Sequence, residues 1–176
     1  LFPRPGKFGH AAAFPLVVAR EQIDGRRAVP ATAMVANFTP ASDSSPSLLR
    51  HTELVTLFHE FGHVLHMSLS LARYARFSGA STEWDFVEAP SQLLEEWAWD
   101  ADVLASFTAD ADGEAIPAEL VAKMRTADAF GRGLEVRRQL GHANVSYHLH
   151  VDRPADLQAE TERLYATTSP VQPLAG

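Results

Sequence analysis

The sequence predicts a predominantly helical α+β domain with a small β-sheet at its N-terminus. Residues 1–47 are rich in proline, glycine and serine and contain two short apolar runs, whereas later apolar residues recur at helical spacing. The chain has 176 residues, 46% of them hydrophobic, which is enough for one domain with its own core. We therefore expect a single domain over residues 1–176.

The predicted sheet is built from the two apolar runs, Ala11–Ala19 and Ala31–Phe38. Both runs are short and bounded by turn-forming residues, which is typical of strands. Asp24-Gly25 lies between them and predicts the turn of an antiparallel pair. Residues 1–47 should thus form a small sheet followed by a loop.

Two long helices are predicted within residues 48–107. Apolar residues at helical spacing indicate a first helix from about Leu48 or Thr52 to about Leu71. A second pattern ends near Phe107, and Pro90 fits only in its first turn, so the second helix should begin close to residues 85–87.

The remaining segment, residues 108–176, shows three further helical patterns. They run from Ile116 to about Phe130, from Leu134 to His150 and from Pro154 to Ala166. We expect a helical region that packs behind the two long helices.

The composition excludes several classes of protein. The net charge is −7 and the 15 basic residues are scattered, so nucleic acid is not an expected partner. No apolar run reaches the roughly 18 residues that a membrane-spanning helix needs, and no membrane association is expected. The absence of cysteine excludes disulfides and thiolate metal sites and agrees with a cytoplasmic location. The sequence leaves the oligomeric state open.

The chemistry lies in the segment His59-Glu60-Phe61-Gly62-His63. Because the two histidines are four residues apart, both imidazoles project from one face of the first helix and can hold one metal ion. Glu60 lies beside them. The pattern predicts one Zn²⁺ per chain, held by His59 and His63.

A catalytic zinc takes three protein ligands and keeps a position open for water, so a third donor must come from another element. The predicted second helix offers four carboxylates: Asp85, Glu88, Glu95 and Glu96. Glu88 is favoured because it lies at the helix start and is followed by Ser91 and Gln92, which can orient the histidine ligands. Four side chains are candidates for that orienting role, with Asp85 and Gln92 preferred: Glu53, Asp85, Gln92 and Glu95.

Such a site predicts amide hydrolysis. Zinc lowers the pKa of its bound water toward about 7, and Glu60 can then take the proton as the water attacks a polarised carbonyl. Glu60 would next deliver the proton to the departing amine.

The other histidines have ordinary interpretations. His66 follows His63 by three residues and is rotated off the ligand face, so a packing role is favoured over a fourth ligand. His142, His148 and His150 have no carboxylate at matching spacing on their stretch, and surface or helix-packing roles are favoured there.

Three segments together carry a family resemblance: Phe58–His66 (FHEFGHVLH), Phe77-Ser78-Gly79 and Asp85–Gln92 (DFVEAPSQ). They closely resemble the thimet oligopeptidase, neurolysin and oligopeptidase A family of zinc metallopeptidases. Pro3–Ala12 and Ala33–Thr39 are similar to upstream segments of that family, so the resemblance covers most of the chain.

The resemblance implies a zincin-type catalytic core with zinc on His59, His63 and Glu88 and with Glu60 as the catalytic base. It further implies short peptides as substrates. The segment Ala33–Thr39 should edge the cleft, where a peptide adds as another strand along three substrate-binding residues: Ala36, Asn37 and Phe38.

Two departures from the family pattern bear on activity. Its members are several-fold longer, so we expect the chain to be a fragment of a longer protein. The family's glycine- and tyrosine-rich substrate-binding stretch has no counterpart here. The primary expectation is a zinc oligopeptidase. The alternatives are a peptidyl-dipeptidase that releases C-terminal dipeptides and a zinc-binding fragment that is inactive in isolation.

Overall fold

The computed structural model describes residues 1–110 and 112–169. Its strands are β1 (Ala12–Val17), β2 (Arg20–Glu21), β3 (Arg27–Ala28) and β4 (Ala31–Val35). Its α-helices are α1 (His51–Ser68), α2 (Ala89–Glu95), α3 (Ala101–Ala105), α4 (Ala118–Ala129), α5 (Arg132–Val151) and α6 (Leu157–Thr168). Helix dominates and the strands lie near the N-terminus, which confirms the predicted α+β fold class.

The chain divides into two compact units, Leu1–Val121 and Ala122–Gly176. The first contains all four strands and α1 to α3, and the second contains α5 and α6. The single domain expected from length stays a prediction. No helix among the described residues is long and apolar enough to cross a membrane.

The N-terminal sheet has the predicted antiparallel arrangement. β1 pairs with β4 from Ala12 opposite Val35 to Val17 opposite Ala31, and β2 pairs with β3 as a second short ladder. The turn at Gly25 has a φ of 78°, a conformation that glycine adopts without strain. β4 ends at Val35, so the strand predicted to continue through Phe38 is shorter than expected.

Glu53, in the first turn of helix α1, connects this turn to the segment after β4 by hydrogen bonds. The Glu53 carboxylate accepts hydrogen bonds from the backbone N–H groups of Arg50 and Thr39, both at 2.8 Å, and from the Thr39 hydroxyl at 2.9 Å. These bonds satisfy donors that a helix N-terminus and a loop would otherwise leave open. The same contacts bring the segment after β4 against α1.

The predicted second long helix is wrong as a continuous element. The structure has α2, a 3-10 turn over Glu96–Trp99 and then α3, with extended backbone at Asp100. The side chain of Asp100 accepts hydrogen bonds from Asp102 and Val103, both at 3.0 Å. An aspartate that caps a new helix competes with continuation of the previous one, so the chain breaks there.

The close approach of α1 and α2 depends on Gly62. A Cβ atom at this position would lie 2.5 Å from Cα of Ser91 and 2.8 Å from the carbonyl oxygen of Pro90. Both atoms belong to the backbone, so no side-chain movement could relieve the clash. The glycine therefore lets α2 lie directly against α1 at position 62, which lies between His59 and His63 in the sequence.

In the second unit, Gly131 separates α4 from α5 in a left-handed conformation, with a φ of 79°. Helices α5 and α6 pack on each other around Gly141, where a Cβ atom would lie 2.7 Å from the Thr168 hydroxyl oxygen and 3.2 Å from the ring of Tyr165. The break between α4 and α5 thus lies where the sequence predicts one helical pattern to end, near Phe130, and the next to begin, near Leu134.

Candidate metal centre

Helix α1 places the two predicted histidine ligands side by side. The ring centroids of His59 and His63 are 4.9 Å apart, and the rings are nearly perpendicular. Four residues correspond to slightly more than one helical turn, so both rings leave the same face. The spacing in the sequence is sufficient to produce this arrangement.

Glu88 supplies the carboxylate that faces both rings. It occupies the residue just before α2, and its Oε2 atom lies 3.3 Å from Nε2 of His59 and 3.1 Å from Nε2 of His63. All three potential ligand atoms lie within 4.8 Å of one another. The structure therefore brings the three proposed ligands His59, His63 and Glu88 together.

The donor set fits a zinc ion. Zinc binds imidazole nitrogen and carboxylate oxygen at about 2.0 to 2.2 Å, and tetrahedral ligands at that distance are roughly 3.3 Å apart. The observed nitrogen–oxygen separations of 3.1 and 3.3 Å match that geometry. Two imidazoles and one carboxylate leave a fourth position open, which is the pattern of catalytic zinc sites.

The electrostatics of Glu88 favour its charged form. The hydrogen bond from the Ser91 hydroxyl is the largest influence that holds the pKa of Glu88 below its ordinary value. The nearby His63 and His59 lower this pKa further, whereas partial burial raises it. A ligand carboxylate must be ionised, so this environment prepares Glu88 for a cation.

Glu95 orients His59. Its Oε1 atom lies 2.6 Å from Nδ1 of His59, so Nδ1 carries the proton and the lone pair of Nε2 is left for a metal. A carboxylate behind a ligand histidine is a frequent arrangement in zinc sites. By contrast, Nδ1 of His63 is buried and has no partner in the described part of the chain.

The two preferred orienting candidates lie elsewhere. Asp85 and Gln92 are exposed, and neither side chain hydrogen-bonds to any described residue. Successive residues are rotated by about 100° around the axis of a helix. Glu95 is therefore rotated by only about 20° from Glu88, toward the side of Ser91, which faces α1. Gln92 is rotated by about 40° toward the opposite side. The spacing of seven residues between Glu88 and Glu95 was the signal that could have identified Glu95.

Glu60, the predicted catalytic base, follows His59 on α1. It is only 7% exposed, and no described residue hydrogen-bonds to its carboxylate. Neither carboxylate oxygen of Glu60 is among the fully buried polar atoms that lack a partner, so the carboxylate end still reaches solvent while the rest of the residue is buried. Glu60 thus has the acceptor capacity that a proton-transferring group needs.

The predicted substrate segment follows β4 directly. Ala36 and Phe38 are buried; the carbonyl of Ala36 accepts a hydrogen bond from the ammonium of Lys7, and the N–H of Phe38 donates to the carbonyl of Leu1 at 3.0 Å. The side-chain amide of Asn37 donates to two carbonyls, those of Phe8 at 3.0 Å and His10 at 3.2 Å. The N-terminal loop therefore holds this segment from one side.

His66 and the three histidines of α5 have local partners or packing contacts. The ring of His66 packs edge-on against Phe86, and burial lowers the pKa of His66. Nδ1 of each histidine on α5 lies within 2.7 Å of its own partner: the Tyr165 hydroxyl for His142, Asp152 for His148 and the Ser146 carbonyl for His150. Among the described residues, His59, His63 and Glu88 form the one cluster of three possible metal ligands.

Comparison with known proteins adds a family and several relatives. The model of the family described as "Peptidase family M3" matches residues 1–173. The chain is 42% identical to the thimet-like oligopeptidase of Dictyostelium discoideum over 94% of its own length, and 40% identical to saccharolysin of Saccharomyces cerevisiae over 90%. It is 36% identical to oligopeptidase A of Escherichia coli over 91%. The chain spans about a quarter of the length of these relatives: 25%, 22% and 24%, respectively.

Proposed function

The chain belongs to peptidase family M3, and from this membership we propose that it carries the zinc centre of an enzyme that hydrolyses peptide bonds in short peptides. One observation carries the proposal: Oε2 of Glu88 lies 3.1 and 3.3 Å from Nε2 of two histidines on another helix. Two imidazoles and a carboxylate around one point are the ligands of catalytic zinc in peptidases. The cofactor of the proposal is one Zn²⁺ per chain.

Zinc held by these three residues supplies a Lewis acid that acidifies water and polarises a substrate carbonyl. The protein supplies the proton transfer. Glu60 takes a proton from the attacking water and then delivers it to the amine that leaves. Glu95 keeps the proton of His59 on Nδ1, so that Nε2 stays a ligand throughout.

The peptide-binding part of the proposal concerns residues 36–38. In an extended segment, successive residues direct their backbone N–H and C=O groups to opposite sides. Ala36 and Phe38 direct theirs to Lys7 and Leu1, so the backbone groups of Asn37 face the other side, where no described residue bonds to them. We place the backbone of a bound peptide against Asn37, which allows binding with little dependence on side chains.

The activity, substrates and location of the whole protein are proposals too. The relatives are about four times longer than the chain. The thimet-like oligopeptidase of Dictyostelium discoideum and oligopeptidase A of Escherichia coli act on oligopeptides by name, which supports short peptides as substrates. We propose the cytoplasm as the compartment, since the chain has no cysteine and therefore no need of disulfides.

Metal analysis tests the zinc centre. The purified chain should contain one zinc per molecule, and Glu88→Ala should lower the zinc content by removing one of three ligands. Gln92→Ala is a matched control, since Gln92 lies one turn away on α2 with an exposed side chain. Equal zinc content in Glu88→Ala and the unchanged chain would remove Glu88 from the centre.

Turnover tests the role of Glu60. A short peptide with a quenched fluorophore should be cleaved slowly by the zinc-loaded chain, and both a chelator and Glu60→Gln should abolish the cleavage. Glu60→Gln should keep its zinc, because Glu60 is not a ligand. Cleavage that survives in Glu60→Gln would assign proton transfer to another residue.

A further inference from the structure

Ser91 lies at the point where α2 meets both the metal ligands and α1. Its side chain is completely buried, with 0% relative exposure. Its hydroxyl lies 2.8 Å from Oε2 of Glu88, the same oxygen that faces the two histidines, and 2.9 Å from the Glu88 carbonyl. A single buried hydroxyl therefore contacts the ligand atom of the candidate metal centre.

We propose that Ser91 is the positioning residue that holds the Glu88 carboxylate in its ligating orientation, and that contact of its backbone with Gly62 sets the distance between the two helices that supply the ligands. This inference rests on the proposed zinc centre. It gives Ser91 a role toward Glu88, whereas the sequence suggested a role toward the histidines.

Packing alone does not hold Glu88 in place. Its side chain is 48% exposed, so about half of the side-chain surface is not covered by neighbouring residues. A glutamate has three rotatable side-chain bonds, and an exposed one samples many rotamers. The fully buried hydroxyl of Ser91 is a fixed point from which a hydrogen bond can select one of them.

The hydroxyl has one proton and two acceptors within reach. Of the two, the carboxylate oxygen is charged and forms the stronger hydrogen bond, so the bond to Oε2 should prevail over the bond to the backbone carbonyl. The second lone pair of Oε2 stays available on the side of His59 and His63. One oxygen can thus accept from Ser91 and ligate a cation at the same time.

Gly62 explains why Ser91 can lie so deep. The position that a Cβ of residue 62 would occupy is 2.5 Å from Cα and 3.1 Å from N of Ser91, so backbone lies directly against backbone. Gly62 lies between the two histidine ligands on α1, and Ser91 lies three residues after the carboxylate ligand. The contact therefore joins the helix that carries the two histidines to the segment that carries Glu88.

The test compares two buried serines by zinc affinity. Ser91→Ala removes the hydroxyl beside Glu88. Ser78→Ala is the control, because Ser78 is also buried, at 5% exposure, and its hydroxyl bonds to Ser70 rather than to a ligand. Zinc dissociation constants are measured by competition with a chromophoric chelator, and the visible absorption of the cobalt-substituted chain reports the ligand geometry. Thermal unfolding of the zinc-free proteins measures the stability of each variant.

Ser91→Ala should weaken zinc binding by about 10- to 100-fold and alter the cobalt spectrum, as expected when a group that orients a ligand is lost. Ser78→Ala should stay within about twofold of the unchanged chain. Equal affinity in all three proteins would overturn the role of Ser91 and leave the zinc centre intact. An equal loss in both variants, in step with lower stability, would also overturn it. Failure of the unchanged chain to bind zinc would refute the proposed function itself.

Discussion

Helices α1 and α5 both carry several histidines, yet among the described residues only those of α1 belong to a candidate metal centre. On α1, Nε2 atoms of His59 and His63 face one carboxylate that belongs to another helix. On α5, His148 and His150 have partners four residues away on or just beyond the same helix, and His142 bonds to Tyr165 on α6. A group of histidines therefore becomes a ligand set when a second element brings a donor to their common face.

The close approach of that second element is what distinguishes α1 most. α2 can reach the histidines because position 62 has no side chain, whereas the glycine of α5 at position 141 admits Tyr165 and Thr168 instead. In α1 the glycine allows close contact with the backbone near a possible ligand, whereas in α5 it allows contact with the side chains of α6.

The largest expected effect is that of Gly62→Ala. The new methyl group would meet backbone atoms of Ser91 and Pro90 at 2.5 and 2.8 Å, so α2 must move and take Glu88 with it. We expect loss of stoichiometric zinc binding and a decrease in the free energy of unfolding of about 1 to 3 kcal/mol. Metal analysis and urea unfolding measure the two effects.

Two glycines of α5 serve as controls for that substitution. Gly133 has open space around it, so Gly133→Ala should leave zinc content unchanged and change stability by at most about 1 kcal/mol, in the stabilising direction. Gly141→Ala should lower stability through its contact with Thr168 but keep the zinc. Zinc loss in Gly141→Ala would show that the metal centre responds to stability in general, and zinc loss in Gly133→Ala would show that any added methyl group on α5 disturbs it.

An intermediate effect is expected for Glu95→Gln. Glutamine retains an oxygen that can accept the proton of His59 Nδ1, but it lacks the charge that strengthens the 2.6 Å hydrogen bond. Zinc affinity should fall roughly 10-fold, at the lower end of effects for groups behind metal ligands. Chelator competition measures the change.

Asp152→Asn is the counterpart on the other helix, since Asp152 lies 2.7 Å from Nδ1 of His148. The same change of charge beside a histidine should leave zinc affinity unaltered there. An equal effect of both substitutions would mean that the carboxylate of Glu95 has no specific part in the centre.

The smallest expected effect is a pH dependence due to Glu53. Backbone hydrogen bonds from Arg50 and Thr39 hold the pKa of Glu53 below its ordinary value of 4.5, although burial opposes them. Folding thus favours the charged carboxylate. Its stabilising contribution is fully present above pH 4.5 and is lost as the pH falls through the lower native pKa. The stability difference between the zinc-free chain and Glu53→Gln should therefore be constant near neutral pH and shrink below 4.5.

Glu160 provides the comparison in the second unit. Its pKa is also lowered, mainly by a hydrogen bond from Arg163 within the same helix. The Arg163 side chain is 60% exposed, so its pair with Glu160 should contribute little and be screened by salt. Glu160→Gln should therefore change stability less than Glu53→Gln and lose its effect at high salt. A salt-sensitive effect of Glu53→Gln would contradict the assignment of the Glu53 contribution to hydrogen bonds from the backbone N–H groups of Arg50 and Thr39.

Local patterns in the sequence were sufficient for the fold class and for the shared face of the two histidines in the candidate metal centre. The alternation of short apolar runs with turn residues predicted the antiparallel pair β1 and β4, and apolar spacing predicted α1. The separation of His59 from His63 predicts a shared face because helical geometry relates residues four apart wherever the helix lies. These features depend on residues that are near one another along the chain.

The second ligand-bearing region was predicted less well for a physical reason. Apolar spacing continues to Phe107 in the sequence, but Asp100 caps a new helix and divides the region into short pieces. Likewise, β4 ends at Val35 because the backbone of Ala36 and Phe38 is bonded to Lys7 and Leu1 of the N-terminal loop rather than to β1. The spacing of apolar residues does not show where a backbone group forms its hydrogen bond with a side chain or a distant loop instead of within a helix or sheet.

By itself, then, the sequence determined the family, the helical α+β class and the residue types that can hold and use a zinc ion. The tertiary structure alone decided that Glu95 rather than Gln92 contacts His59, that Ser91 holds Glu88, and that Gly62 lets the two helices meet. The reason is that these contacts depend on the distance and rotation between α1 and α2, which are set by packing between residues far apart in the chain.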